Sequence, residues 1–525
     1  MEKLERGVRG SHQGSDNPFY HKVTLSGFQR IRGLILGSFL FPVRIVLVSL
    51  FFLLMWPLAR LRLAGLSAED RARPVTGWRR WFFHPGVWLL SRAVFFSLGF
   101  VWVRVKGRRA DLVEAPVLVV APHSTFLDML VLCTTQLPTV VSRSENTSLP
   151  VIGALLEFNQ SVLVSRSDPD SRKKAVAQLT ERITSNGYWP QMLMFPEGTT
   201  TNGSALIKFK PGAFLCGVPV QPVLLRYPNK LDTVRWSYKG TTWLEALWHT
   251  SSQLYTNITV EFLPVYKPSP EERNDPILYA DNVQKLMAKA LGIPATDYVM
   301  QGGVPVQKVG GLSLPIPSPG REALALLRKA GLGASEVEAA LGRMVDRCRS
   351  GSSFLVGAEE LAAIFGLSDG RTAASVCGLY SKVPPGRWLP WHLRDVTSSC
   401  CFQEKVVDPR QIYLNVAALS GLVNIKPLLH TAFDLYDGEG TGSLSAEELS
   451  DLMGALLGLR QHHTAQLYAE ASSGGRLSRD DLVRTFTSHP TYQKVASDHL
   501  QPGQAACQSL VNSNGNLLNG NKKVI

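Results

Sequence analysis

Ala121-Pro122-His123-Ser124-Thr125-Phe126-Leu127-Asp128 follows an apolar, β-type run that begins at Ala115. It precedes a stretch from Met129 onward with helical character. A strand that ends in a His, with an Asp five residues on, predicts a two-residue charge relay. An imidazole titrates near neutrality and can accept a proton at physiological pH. A carboxylate beside it can fix the tautomer and stabilise the imidazolium. Such a spacing does not share one face of an ideal helix, where neighbours are three or four apart. His123 is therefore placed at the strand–helix turn, with Ser124 or Thr125 as N-cap and Asp128 in the first helical turn. The same spacing fits a structural His beside a helix-start Asp, so the pair needs support from elsewhere in the chain.

The stretch belongs to an α/β pattern over residues 111–300. Apolar β-type runs recur at Thr139–Ser142, Ser161–Val164, Gln191–Phe195, Val218–Leu225 and Ile258–Leu263. Helical patterns lie between them, including the basic, amphipathic Asp170–Thr184. This alternation predicts a sheet with helices packed on its faces. Arg166 follows Val162-Leu163-Val164 and could meet a phosphate at a strand end, or be solvated. In Phe195-Pro196-Glu197-Gly198-Thr199-Thr200, a Glu at a strand exit suits a hydroxyl-rich or phosphate-bearing substrate, with Gly allowing close backbone approach. An ordinary turn is the competing reading. In Lys208-Phe209-Lys210-Pro211-Gly212, the two lysines could contact diphosphate oxygens, with the Pro-Gly turn fixing their direction; a solvated basic turn is the alternative.

At 525 residues the chain has room for two or three domains. Its net charge of +13 lies entirely in residues 1–110, which carry 18 Lys/Arg against 5 Asp/Glu; the remainder carries 37 of each. Charge concentrated around hydrophobic segments points to an anionic membrane surface rather than nucleic acid. Residues 1–32 read as a polar tail without a signal-cleavage pattern. Residues 33–110 read as a membrane anchor with two apolar segments, 33–58 and 81–103. The first is long enough to cross a bilayer core, which takes about 20 residues. If both crossed, the Arg-rich loop 59–80 would be luminal, against the positive-inside tendency. Entry into one leaflet, or an interfacial position, is the alternative. Seven cysteines with no CxxC pair argue against zinc or thioredoxin-like chemistry and predict reduced thiols facing the cytosol.

Residues 301–320 are rich in Gly and Pro and predict a linker. Residues 321–500 are helical in pattern. Within them, Asp437 to Glu448 fits a calcium loop: Asp437, Glu439, Thr441, Ser443 and Glu448 are the candidate Ca2+ ligands, with Gly442 at position 6 and Leu444 at position 8. Glu439 and Thr441 are unusual choices at their positions and predict poor affinity. Glu470 to Asp481 has the outline of a degenerate second loop. An EF-hand-like fold that binds no calcium is the competing expectation. Residues 501–525 read as a disordered tail. Its end, Lys522-Lys523-Val524-Ile525, resembles a dilysine retrieval signal of endoplasmic reticulum membrane proteins.

Taken together, the four chemical blocks resemble the glycerolipid acyltransferase superfamily in order and spacing: HxxxxD, an Arg block, EGT and a Pro-rich block, over about residues 111–300. Asn17-Pro18-Phe19, Val164 to Asp168, Phe195 to Asn202 and Leu225 to Thr233 are similar to its lysophosphatidylcholine/lysophosphatidylethanolamine branch. The lysophosphatidylethanolamine-preferring part of that branch is the nearest in pattern. The resemblance implies an α/β acyltransferase domain, N-terminal membrane-embedded helices and a C-terminal α-helical EF-hand-like domain. It implies acyl transfer from acyl-CoA to the free hydroxyl of a lysophospholipid, with His123 as general base and Asp128 orienting it. Arg166, Glu197, Gly198, Thr199, Lys210, Pro211 and Gly212 would hold substrate. No cofactor is required, membrane lipids are partners, and the catalytic domain and C-terminus would face the cytosol at the endoplasmic reticulum. Thr200 stands where many phosphatidic-acid-forming relatives have Arg, which favours a phosphodiester headgroup over a phosphomonoester. A 1-acylglycerol-3-phosphate acyltransferase, a lipid hydrolase using the same pair, and a calcium-responsive scaffold with an inactive domain are the alternatives.

Overall fold

Alternate residues of the strand before His123 face two different cores. Val117, Val119 and Ala121 pack with Leu206, Phe214 and Met287 on one side; Leu118 and Val120 pack with Val131, Leu193 and Val260 on the other. Burial on both faces is why the run is continuously apolar rather than alternating. The computed structural model describes residues 17–165, 168–309, 312–316, 318–350, 355–380, 406–438, 440–459, 464–472, 476–498 and 500. The chain divides into two units, Met1–Met300 and Gln301–Ile525.

The first unit is built on a seven-stranded sheet. Its strands are β1 (Val103–Lys106), β2 (Val117–Ala121), β3 (Thr139–Arg143), β4 (Val162–Val164), β5 (Met192–Met194), β6 (Val220–Arg226) and β7 (Ile258–Phe262). Their spatial order is β1-β7-β6-β2-β5-β3-β4. All neighbours run parallel except β6 and β7. The six expected runs are all strands. β1 is the addition, and it corrects the second membrane stretch: the helix there runs only over Gly77–Ser97, Phe100 is buried, and Val103 pairs with Ile258 in the sheet. Hydropathy cannot tell the apolar end of a helix from the first residue of a buried strand.

Six longer helices complete the unit: α1 (Gly27–Leu63), α2 (Gly77–Ser97), α3 (Pro150–Phe158), α4 (Pro169–Ile183), α5 (Trp243–Ser251) and α6 (Pro276–Leu291). α4 and α6 cover one face of the sheet through Ala175, Leu179, Tyr279 and Val283. α1, α2 and α3 lie on the other side through Met55, Phe83, Val87 and Phe158.

Among the described residues, α1 is the one helix long and apolar enough to cross a membrane. It is also fastened to the sheet-bearing domain. Arg32 donates to Gln253 at 2.8 Å, and Arg62 donates to the Phe158 carbonyl at 2.7 Å. Midway between, the buried Arg44 donates to the carbonyls of Leu98, Ser251 and Leu254 at 3.2, 3.1 and 2.8 Å. Gly99, with φ at +102°, makes room for that guanidinium; a Cβ there would sit 2.6 Å from Arg44 Nη1. The opposite face exposes Ile31, Leu34, Phe39, Val46 and Leu53. α2 likewise exposes Trp78, Trp81, Phe82 and Leu89.

The second unit is helical around one apolar core. The expected linker is corrected here. Val304–Val309 and Leu312–Pro315 pair antiparallel, and Val309 and Leu314 are buried in that core. Gly and Pro sit at the turn and edges of this hairpin, where they are tolerated, so their abundance does not mean a free tether. Leu444 and Leu477, at the eighth positions of the two expected loops, form an antiparallel bridge, with Leu444 N–H donating to Leu477 at 2.9 Å.

Candidate active site

β2, β5 and β6 are adjacent and parallel, so the residues that follow them meet at one edge of the sheet. Open α/β sheets place their ligand sites at this carboxyl edge. Each strand delivers one polar side chain to the same place: His123 after β2, Glu197 after β5 and Tyr227 after β6.

The chain after β2 turns into a 3-10 helix over Phe126–Leu130, with Thr125 as N-cap. Asp128 closes the capping box by accepting from the Thr125 N–H at 3.0 Å, and the same oxygen, Oδ2, accepts from the Ser124 N–H at 2.7 Å. His123 Nδ1 lies 2.9 Å from that oxygen. Asp128 is completely buried, whereas the His123 side chain keeps 17% exposure. The imidazole stacks on Phe195, with centroids 4.3 Å apart. With Nδ1 committed to Asp128, Nε2 is the nitrogen left to take a proton from a hydroxyl. Tyr227 donates to the second oxygen, Asp128 Oδ1, at 2.5 Å.

The EGT block lies against the peptide of His123. Glu197 Oε1 accepts from the His123 N–H at 2.7 Å, and the Thr201 N–H donates to the His123 carbonyl at 2.8 Å. Glu197 is 1% exposed. Burial pushes its carboxyl up to about 8; the nearby Asp128 charge adds to this, and the His123 and Ile207 N–H groups oppose it. Its carboxylate is buried against the His123 backbone.

Gly198 has φ at +65°, and a Cβ there would meet Lys210 Nζ at 2.6 Å. Lys210 thus lies across the glycine, and its N–H donates to the Pro196 carbonyl at 2.9 Å. Pro211 and Gly212 form the short 3-10 turn Pro211–Ala213, with Lys210 as N-cap. EGT and Lys-Pro-Gly blocks are therefore one surface, with Thr199 partly exposed on it. Lys208 is elsewhere: it pairs with Asp281 at 3.0 Å and Asp297 at 3.6 Å. Arg166 lies outside the described residues.

A second chain segment straps this surface. Asn202 N–H donates to the Pro18 carbonyl at 2.7 Å, and its side chain donates to the carbonyls of Asn17 and Tyr20 at 3.1 and 3.0 Å. Phe19 is buried, and Tyr20–His21 pairs parallel with Lys239–Gly240. The segment just before Lys239 closes on the His123 turn, with Trp236 N–H donating to the Ser124 carbonyl at 2.9 Å.

Three of the candidate calcium ligands, Asp437, Thr441 and Ser443, lie together, with the Thr441 hydroxyl 3.4 Å from Asp437 Oδ1. Asp437 accepts from the Thr441 and Gly442 N–H groups at 2.9 and 2.8 Å. The Thr441 hydroxyl lies 3.1 Å from that of Ser443. Glu448 accepts from Ser445 as the capping box of its own helix. Glu439 lies outside the described residues. Among the described residues there is no group of three His, Cys, Asp or Glu side chains able to hold a metal ion.

Tyr227 stood out in the sequence only as part of a branch pattern. Its signal is positional, since it immediately follows an apolar strand, as the His123 turn does.

The Acyltransferase family profile matches residues 102–226, which begins at β1 and ends with β6. Lysophospholipid acyltransferase LPCAT4 of Homo sapiens is 45% identical over 495 residues, covering 93% of this chain and 90% of its own. Lysophosphatidylcholine acyltransferase 2 of Homo sapiens is 39% identical over 484 residues, covering 92% and 85%. Lysophosphatidylcholine acyltransferase 1 of Homo sapiens is 34% identical over 495 residues, covering 94% and 88%. No solved structure matches. The acyltransferase profile falls on the sheet whose edge carries His123 and Asp128, the relatives run along most of the chain, and the chain belongs to the lysophospholipid acyltransferase family.

Proposed function

We propose that His123 is the general base of acyl transfer from acyl-CoA to a lysophospholipid. Nε2 takes the proton of the free glycerol hydroxyl, and the oxygen attacks the thioester carbonyl. Collapse of the tetrahedral intermediate breaks the C–S bond, and the imidazolium returns its proton to the departing CoA sulfur. Asp128 stabilises the imidazolium in between. The observation that carries this reading is the 2.9 Å contact of His123 Nδ1 with the buried Asp128.

The surface made by Gly198, Thr199, Lys210, Pro211 and Gly212 is suited to the phosphodiester, with Arg166 as a further contact. Glu197 is assigned instead to holding the His123 turn. Thr200 leaves the site without the guanidinium that a phosphomonoester would pair with. A panel of lysophosphatidylcholine, lysophosphatidylethanolamine and lysophosphatidic acid, each with several acyl-CoAs, tests this on wild type, His123→Ala and Thr200→Arg. Transfer to the two phosphodiesters is expected, lost in His123→Ala, with lysophosphatidic acid gaining in Thr200→Arg. Unimpaired transfer by His123→Ala would end the reading.

We further propose that the protein sits in the cytosolic leaflet of the endoplasmic reticulum without crossing it. From Arg32 to Arg62, α1 would extend about 45 Å at 1.5 Å per residue. It is tied to the catalytic domain near both ends and in the middle, so it cannot cross a bilayer independently of that domain. Its apolar outer face and the exposed tryptophans of α2 suit an interfacial position. In sealed microsomes, protease added from the cytosolic side should cut within residues 64–76; protection of that loop would require a two-pass hairpin instead.

A further inference from the structure

We propose that Tyr227 is a positioning residue of the acyl-transfer pair: its hydroxyl holds one oxygen of Asp128 so that the other stays aimed at His123. The proposal rests on His123 being the base. The geometry divides the two carboxylate oxygens cleanly. Oδ2 receives His123 Nδ1 and the main-chain N–H groups of Ser124 and Thr125. Oδ1 receives the Tyr227 hydroxyl, the one donor that reaches it among the described residues. The main-chain donors belong to the same turn as Asp128 and secure only Oδ2. Tyr227 comes from 99 residues away in the chain and secures the rotation of the whole group.

Three features make Tyr227 a fixed donor. It directly follows β6, which is paired to β2, the strand that carries the His123 turn. Its ring meets Phe100 edge-on, with centroids 6.4 Å apart. Burial first, and then the charge of Asp128, keeps its hydroxyl well above the usual phenol range, so it stays protonated and donates. The other ionisable groups facing this cluster do not substitute for it. Glu197 engages the His123 backbone, and Asp232 is paired with Arg235 at 2.7 Å.

Removing the hydroxyl leaves a buried carboxylate oxygen without its donor, a costly arrangement. The negative charge then concentrates on Oδ2, against the imidazole, and favours its protonated form. Tyr227→Phe in the full-length membrane enzyme should therefore lower kcat by about tenfold to a hundredfold, the range seen when a supporting hydrogen bond behind a reactive group is lost. KM for lysolipid and acyl-CoA should stay unchanged, and the acid limb of the pH–rate profile should move to higher pH. Replacing Tyr227 with 2,3-difluorotyrosine keeps ring and hydroxyl, strengthens the donor, and should move that limb the other way. This second variant carries the test if Tyr227→Phe does not fold. An acid limb that stays put in the folded variants overturns the proposal, whether or not kcat falls, because a purely structural role would leave it in place. His123→Ala in parallel separates the two claims. If it is inactive while Tyr227→Phe behaves as wild type, only the role of Tyr227 fails; if it is fully active, the base assignment fails as well.

Discussion

Thr125–Asp128 and Ser445–Glu448 are built from the same local device. In each, a hydroxyl residue caps a helix and an acidic residue three positions on returns a bond to the cap. At Ser445, the carboxylate of Glu448 is spent on its own turn, accepting from the Ser445 N–H and hydroxyl. At Thr125, the carboxylate of Asp128 serves the turn and two outsiders, His123 and Tyr227. The first stays partly exposed, and the second is sealed from water. The capping chemistry is shared. What differs is that three parallel strands end beside Asp128, while among the described residues the Glu448 carboxylate is bonded only to its own cap. A carboxylate at a helix start becomes reactive machinery only when the tertiary fold supplies something for it to orient.

The sharpest way to break this contrast is to remove each carboxylate. Asp128→Ala should lower acyl transfer by about 10⁴-fold, the scale seen when the orienting Asp of a catalytic His is lost. It should also destabilise the catalytic unit by about 3 kcal/mol, because the Ser124 and Thr125 N–H groups and the Tyr227 hydroxyl lose a buried acceptor. Product formation by mass spectrometry and thermal melting read the two effects separately.

An intermediate effect concerns the support beneath His123. Burial raises Glu197 to about 8, whereas an unfolded Glu titrates near 4.3. The folded protein thus keeps a proton that the unfolded chain releases. The resulting stability is fully present below the unfolded value and is lost as pH rises through about 8. The melting temperature of the wild type should fall between about pH 5 and pH 8.5. Glu197→Gln, which keeps an acceptor for the His123 N–H, should flatten that slope; an unchanged slope would mean the proton is held elsewhere.

The smallest effect is expected at the other turn. Glu448→Ala should cost about 1 kcal/mol in the helical unit and leave acyl transfer at the wild-type rate. A large loss of activity there would erase the distinction between the two turns.

Much of this architecture was legible in the chain. Runs such as Val117–Ala121 and Val220–Arg226 announce themselves because both faces of each strand are buried. The capping turn was also readable, since Thr125 and Asp128 are close in sequence. Three features depended on distant partners. Lys208 and Lys210 look alike along the chain, yet Asp281 claims the first, while the second lies across Gly198. Glu197 shows only its strand-exit position along the chain, and its bond to the His123 N–H comes from a segment 74 residues away. Tyr227 shows only its place after an apolar strand, because its partner lies 99 residues upstream. The hairpin at 304–315 hid for a different reason: Gly and Pro signal chain reversal as readily as looseness.

The strap at residues 17–21 carries a practical corollary. Asn17, Pro18 and Tyr20 all hand carbonyls to Asn202, three residues beyond the Thr199 of the EGT block, and α1 starts soon after at Gly27. A bulky fusion partner attached close upstream of Asn17 would pull directly on the loop that follows the EGT block. An affinity handle placed there would be an active-site perturbation in disguise, and poor turnover of such a fusion would speak about the handle rather than the enzyme.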